Sequence, residues 1–223
     1  MYGHFMSTRM EQKKEKKRKA IIDAAEEIIA EKGPHTMNMD EIARKADVAT
    51  GTIYLYFKNK TSLCAAVNAG LNKEVNAEIK KSMALYKTGS DKVRAAGTGL
   101  IQFVFKNPQM WKAGTELYQI KFDDPEDPNV QELMKEDNIG IQMMADAYQQ
   151  AIEEGTIRET VDPIPTAIFI KMAFLNALTP TSEQKMQLEF NNITFNHYLG
   201  VARDLIIRST HKTRPEDNSV EIR

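Results

Sequence analysis

The stretch MDEIARKADVATGTIYLYFKNKTSL, residues 39–63, governs the reading of the whole chain. Asn38 stands just ahead of it, with Glu41 at the third position beyond. An Asn cap followed by such a carboxylate satisfies free amides at a helix start, although the strict capping box prefers Ser or Thr. A short helix is therefore expected from Met39 to about Ala46, a break at Asp47–Ala49, and a second short helix from Thr50 to about Phe57. Ile53 and Phe57 are four apart and fall on one helical face, suited to a core. The opposite side presents Thr50, Thr52, Tyr54, Leu55 and Tyr56, with Lys58 and Lys60 just beyond.

Working outward, the preceding segment carries Ile21, Ala24, Ala25, Ile28 and Ile29 at steps of three and four before Gly33 and Pro34. That is a longer helix with a stop signal, spanning roughly residues 10–32. A long helix, then two short ones joined by a tight turn, make a helix-turn-helix, whose second helix can lie in the DNA major groove. Thr and Tyr hydroxyls can bond phosphate oxygens, and a Thr methyl or Leu can touch a thymine methyl. Gly51 lets the helix start approach DNA closely, and Lys58 and Lys60 can displace condensed counterions. The same spacing also arises in helical proteins that bind no DNA, where a Tyr-x-Tyr pair is half-buried packing.

The 223 residues have a formal net charge of −1, so no global field identifies a partner. The distribution is more telling: residues 1–60 carry 12 Lys/Arg and 9 Asp/Glu, whereas residues 61–223 carry 18 and 22. A mildly basic head on an acidic body hints at a polyanion held by one part. Cys64 is the sole cysteine, so intrachain disulfides and multi-cysteine zinc sites are excluded. His4, His35, His197 and His211 are scattered and suggest no metal. No signal peptide is visible, and the apolar run AIFIKMAFL is interrupted by Lys171. The expectation is a soluble, cytoplasmic chain without membrane contact.

The remainder reads as helix: a long one from KNKTSL to about Tyr86, then roughly 91–106, 109–120, 129–154, 164–178 and 182–208. Gly89–Ser90, Pro108, DDPEDP at 123–128, Gly155, DPIP at 162–165 and Pro180 punctuate them. FDDPEDPN is acidic, but its prolines favour a solvated loop over a calcium site. From Ser209 the chain is polar and aperiodic, the pattern of a disordered tail.

MDEIARKADVATGTIYLYFKNKTSL, with the preceding AIIDAAEEIIAEKG, closely resembles the DNA-binding domain of TetR-family transcriptional regulators. The matching positions are Gly33, Ile42–Ala43, Val48, Gly51, Ile53, Tyr54, Tyr56, Phe57 and Lys60, across about 50 residues. One departure is Asp47, where the family usually has Gly; Asp tolerates the left-handed conformation better than most residues. The resemblance implies an all-α fold: a three-helix DNA-binding domain at 10–58, a helical effector-binding and dimerisation domain at 59–208, and the tail at 209–223. It implies that Thr50, Gly51, Thr52 and Leu55 approach bases, that Tyr54, Tyr56 and Lys60 meet phosphates, and that the amide of Met39 meets another. The run Lys13, Lys14, Lys16, Lys17, Arg18 and Lys19 could touch the minor groove or flanking phosphates, or be a solvated helix end. The implied function is a repressor that binds a palindromic operator as a homodimer.

Helix 164–178 is apolar nearly all round, and 182–208 carries two apolar stripes, which suits one face on the chain's own core and one on a partner, or simple intramolecular burial. The resemblance implies that these two helices pair across a two-fold axis. Candidates for contact with an apolar or amphipathic effector are Phe103, Trp111, Tyr118, Phe122, Met143, Met144, Tyr148, Phe169, Met172 and Asn176, with Gln119, Asn138 and Gln142 as further polar partners. No cofactor, metal ligand or catalytic residue is expected: hydrolase elbows, phosphate loops and dinucleotide fingerprints are missing. An all-helical enzyme or a ligand-independent DNA-binding protein is the alternative.

Overall fold

A computed structural model describes residues 2–118 and 120–212, side chains included from Arg9 onward. Gln119, one of the polar partners considered above, and residues 213–223 of the expected tail lie outside the described residues. Among the described residues the fold is all-α, in ten helices: α1 (Tyr2–Lys32), α2 (Met39–Lys45), α3 (Thr50–Ile53), α4 (Lys60–Met83), α5 (Gly89–Lys106), α6 (Pro108–Leu117), α7 (Pro128–Glu153), α8 (Pro163–Leu178), α9 (Ser182–Phe190) and α10 (Phe195–Thr210). An isolated bridge joins Ile157 to His211. No helix among the described residues is long and apolar enough to cross a membrane.

The chain divides into two compact units. The first holds the chain up to Val75 together with Val104–Asp137; the second holds Asn76–Phe103 and the chain from Asn138 on. α4, α5 and α7 contribute residues to both.

In the first unit the apolar face of α1 is buried as its spacing predicts: Ile21, Ala25, Ile28 and Ile29 join Ile42, Ile53, Phe57, Leu63 and Leu117 in one core. α1 packs against α6 as well as α2. Gly114 of α6 faces Leu71 of α4 so closely that a methyl group there would collide with the leucine side chain. Gly33, at φ +79°, ends α1 in the left-handed conformation that glycine adopts without strain.

The second unit buries Met83, Val93, Ala96, Tyr148, Ala151, Ile157, Ile170 and Phe174. Here one expectation is corrected. The single helix 182–208 is two helices, α9 and α10, separated by a turn. Asn192 has φ +56°. The amide of Ile193 donates to the Leu188 carbonyl (2.8 Å) and that of Asn192 to the Glu189 carbonyl (3.0 Å). This is a Schellman stop with asparagine at the left-handed position. Thr194 then caps α10, accepting from the amide of His197 at 3.3 Å. α10 continues to Thr210, whose side chain is buried, two residues into the segment read as tail.

Candidate nucleic-acid interface

The interface is built on the turn between α2 and α3. Asn38 accepts from the amide of Asp40 at 2.9 Å, which starts α2. The chain leaves α2 through Asp47 at φ +52°, the left-handed conformation expected where this sequence lacks a glycine. The amide of Val48 donates back to the Ala43 carbonyl at 2.9 Å and closes the turn.

The recognition helix is shorter than expected. α3 ends at Ile53, and residues 54–56 form a turn. The amides of Leu55 and Tyr56 reach back only three residues, to Thr52 (3.2 Å) and Ile53 (2.9 Å). The tightening suits the demand that Ile53 and Phe57 both reach the core, where both are fully buried. Tyr54 and Leu55 are left exposed at 54% and 79%. Tyr56 and Thr52 are half-buried, with the Tyr56 ring tilted against Phe57. Met39 is half-buried at the start of α2.

Several side chains expected to face DNA are already engaged within the chain. The Thr50 hydroxyl donates to Asp40 at 2.7 Å. Lys60 donates to the His35 carbonyl at 2.7 Å. Lys58 pairs with Asp124 at 2.7 Å. That bond raises the Lys58 ammonium above its ordinary value and holds the Asp124 carboxyl below the usual carboxylate range. Gly51, by contrast, has open space where a side chain would stand. Nothing in the chain requires a glycine there, which leaves the space for a partner.

The basic run divides. Lys13, Lys14, Lys16 and Lys17 are exposed. Lys19 pairs with Asp23 at 2.8 Å. Arg18 lies 5.5 Å over the Phe57 ring and donates to Asn129 at 2.7 Å. Asn129 in turn donates to Ser62 at 3.0 Å, and its amide donates to Asp127 at 2.8 Å. Asp127 and Asn129 are buried, so the acidic segment read as a solvated loop is in part a packed one. Sequence reading missed Asp40, Asp124 and Asn129. Their partners lie 10, 66 and 111 residues away, beyond any local pattern.

The effector candidates are not gathered in one place. Trp111, Tyr118 and Phe122 belong to the first unit, the other seven to the second. Trp111 is buried, with its indole N–H unbonded. Tyr118 is exposed, and Phe122 packs on the first unit's core. In the second unit Tyr148 is wholly buried in the core cluster, and Met143 and Met144 are partly buried against that cluster. Burial pushes the Tyr148 phenol up to about 12; its hydroxyl faces Thr210 without a well-formed hydrogen bond. Phe103 is buried, whereas Phe169, Met172 and Asn176 are exposed on α8. Asn138 and Gln142 are exposed on α7. Among the described residues no cluster could hold a metal ion.

Residues 21–67 match the family described as bacterial regulatory proteins, tetR family. Those residues form a tetR-family domain. The match to tetR regulators takes in every interface residue from Met39 to Lys60 and lies wholly in the first unit. A fatty acid metabolism regulator protein of Bacillus subtilis (strain 168) is 60% identical over 43 residues, 19% of this chain and 22% of the relative. The chain spans less than half the length of the curated relatives it matches. Likeness over nearly the whole chain comes from solved tetR-type structures. FadR from Bacillus subtilis in complex with stearoyl-CoA has a TM-score of 0.66 at 21% identity, covering 86% of this chain and 98% of that one. A TetR-family transcriptional regulator from Rhodococcus sp. has a TM-score of 0.66 at 20% identity, covering 89% and 100%. At these identities the likeness speaks to the fold alone. The tetR family is one of regulators, not enzymes.

Proposed function

We propose that this chain is a transcriptional repressor that grips a palindromic operator as a homodimer and lets go when a small apolar or amphipathic molecule binds. One observation carries the DNA-binding part. The recognition turn presents Tyr54 and Leu55 to solvent and leaves open space at Gly51, while Ile53 and Phe57 lock its other side into the core. An exposed Tyr-Leu pair on a turn whose other side is fixed in the core offers a rigid contact surface to a partner. Thr50, Gly51, Thr52 and Leu55 are the base-facing set, and Tyr54, Tyr56 and Lys60 the phosphate set. The role of the Met39 amide rests on the family resemblance. Residues 10–58 are the DNA-binding part and 59–208 the effector-binding and dimerisation part.

The second unit supports dimerisation. Ile164, Ile168 and Phe169 of α8, Met186 and Phe190 of α9, and Val201 and Leu205 of α10 are exposed apolar side chains. A second copy of the chain is the occupant a two-fold operator calls for, since two recognition helices about 34–36 Å apart read successive major grooves. For the effector, a fatty acyl chain is the first class to try. A similar sequence is named for fatty acid metabolism, and a similar structure is of a stearoyl-CoA complex. α4 begins at Lys60, beside the recognition turn, and runs on into the second unit, so it is the element to carry the coupling, which in such systems amounts to about 1–3 kcal/mol.

The test is selection of duplexes from a random-sequence library, followed by anisotropy titration. Tyr54→Ala and Leu55→Ala should each weaken the selected duplex by at least about tenfold while the melting temperature and oligomeric state hold. Retention of full affinity by both variants would sink the reading. Affinity unchanged by fatty acids or acyl thioesters would remove that effector class and leave the DNA-binding conclusion.

A further inference from the structure

The segment 123–128 sits against the recognition turn rather than apart from it. Asp124 holds Lys58 at 2.7 Å, across 66 residues of sequence. The Asp124 carboxylate is itself ordered: its Oδ1 accepts from the Glu126 amide at 3.2 Å, and its carbonyl accepts from the Asp127 amide at 3.2 Å. A few residues on, buried Asn129 pins the segment to Arg18 of α1 and Ser62 of α4. The carboxylate is therefore presented to Lys58 by a fixed backbone. It also lies in a groove shared with the recognition turn. Six carboxylates, among them Glu11, Asp124 and Glu132, line that groove beside three cations, Lys14, Arg18 and Lys58, and beside Tyr54 and Leu55.

We propose that Asp124 is an internal stand-in for an operator phosphate: it occupies Lys58 in the DNA-free protein and so limits operator affinity. The inference rests on the DNA-binding reading above. An ammonium donates to a carboxylate and to a phosphate oxygen in the same way, so the two compete for it. To contact DNA through Lys58 the chain must first break the pair. If Lys58 instead stays with Asp124, it displaces no counterion, and the salt dependence of binding is shallower by its share. In either case the limiter is carried on a segment outside the helix-turn-helix, so whatever moves residues 123–129 changes how freely Lys58 can reach DNA.

The experiment uses the whole chain of 223 residues and a duplex selected on the wild-type protein from a random-sequence library. Affinity is measured for wild type, Asp124→Asn, Lys58→Gln and the double variant over a series of salt concentrations. Asp124→Asn is expected to tighten binding about threefold to fivefold at low salt, the scale of an exposed ion pair. It is also expected to steepen the log affinity against log salt slope by about 0.9 for each half-site. Both effects should largely vanish in the Lys58→Gln background. Affinity unchanged or weakened by Asp124→Asn, or a gain of equal size without Lys58, overturns the inference while leaving DNA binding in place. Failure of the wild-type protein to retain any duplex overturns the DNA-binding reading and this inference with it. Melting temperature and oligomeric state of each variant are followed alongside, and Asp124→Ser gives a second uncharged replacement should the Asn variant melt early.

Discussion

Thr50 and Asp40 are joined by a 2.7 Å hydrogen bond that ties the first residue of the recognition helix to the second residue of α2. α3 has four residues, far too few to hold its shape unaided. Its cap, Ala49, supplies no side-chain hydrogen bond. The helix is therefore oriented from outside, by the burial of Ile53 and Phe57 and by this one bond. Thr50→Val removes the hydroxyl without changing charge or size. It should lower stability by about 0.5–1.5 kcal/mol, the net worth of one hydrogen bond. It should also weaken a selected duplex several-fold, whereas Thr50→Ser should stay near wild type. Thermal melting with anisotropy titration checks both, and a Val variant that binds as tightly as wild type would remove the bond from the account.

Gly51 separates folding from binding. No atom lies within 4 Å of where its side chain would project. Gly51→Ala should therefore be accepted by the fold and raise stability by up to about 1 kcal/mol, since glycine is the poorer helix former. DNA affinity should move the other way, falling about tenfold if the backbone at Gly51 approaches the duplex. A variant both more stable and equally avid would show that the approach is not close.

These two positions also show what the sequence could and could not disclose. The core face of the recognition turn was legible because Ile53 and Phe57 answer to a local rule, four-residue spacing. Asp47 was legible only through the resemblance, which implies a glycine-type turn position there, and the aspartate adopts it at φ +52°. The helix length was not, because the shift to three-residue hydrogen bonds after Ile53 leaves the facing of side chains nearly unchanged. The stop at Asn192 was hidden for another reason: the apolar stripes of residues 182–208 continue across it, and a single asparagine at φ +56° breaks the helix beneath them. Lys58 and Lys60 were recognisable as cations, but their partners, Asp124 and the His35 carbonyl, come from contacts that no spacing rule encodes. The effector candidates rest on residue type and on their place in the middle helices, and neither says which unit a side chain joins.

Glu26 supplies a pH-dependent expectation. It is half-buried on α1. Burial first, and then the charge of Asp23, hold its carboxyl above the usual carboxylate range. The folded chain thus favours the neutral form. Stability from this group is full below the unfolded-state value of about 4.3 and is lost as pH rises through the higher folded value. Glu26→Gln removes the penalty at neutral pH. The variant should melt above wild type at pH 7 by a small margin, because part of the side chain remains in water, and the two curves should converge toward pH 4. Equal melting temperatures at pH 7 would contradict the assigned cause.

The exposed apolar faces of α8 and α10 make the last expectation. Phe169 is 68% exposed and Leu205 65%, on helices that pack against each other. Leaving such surface in water is unfavourable by roughly 25 cal/mol for each Å² that a partner could cover, and a stable interface covers about 800 Å² on each side. Leu205→Glu and Phe169→Glu place charges where the second copy would pack, so each should convert a two-chain species to a single chain in sedimentation at micromolar concentration. Neither side chain is in the buried core, so helix content should be unchanged. Operator affinity should fall far more than for any single contact variant, by about a hundredfold or more, because the second half-site no longer binds as part of the same molecule. A monomeric variant that still binds the full operator tightly would refute two-fold recognition. A variant that remains dimeric would move the interface away from these helices.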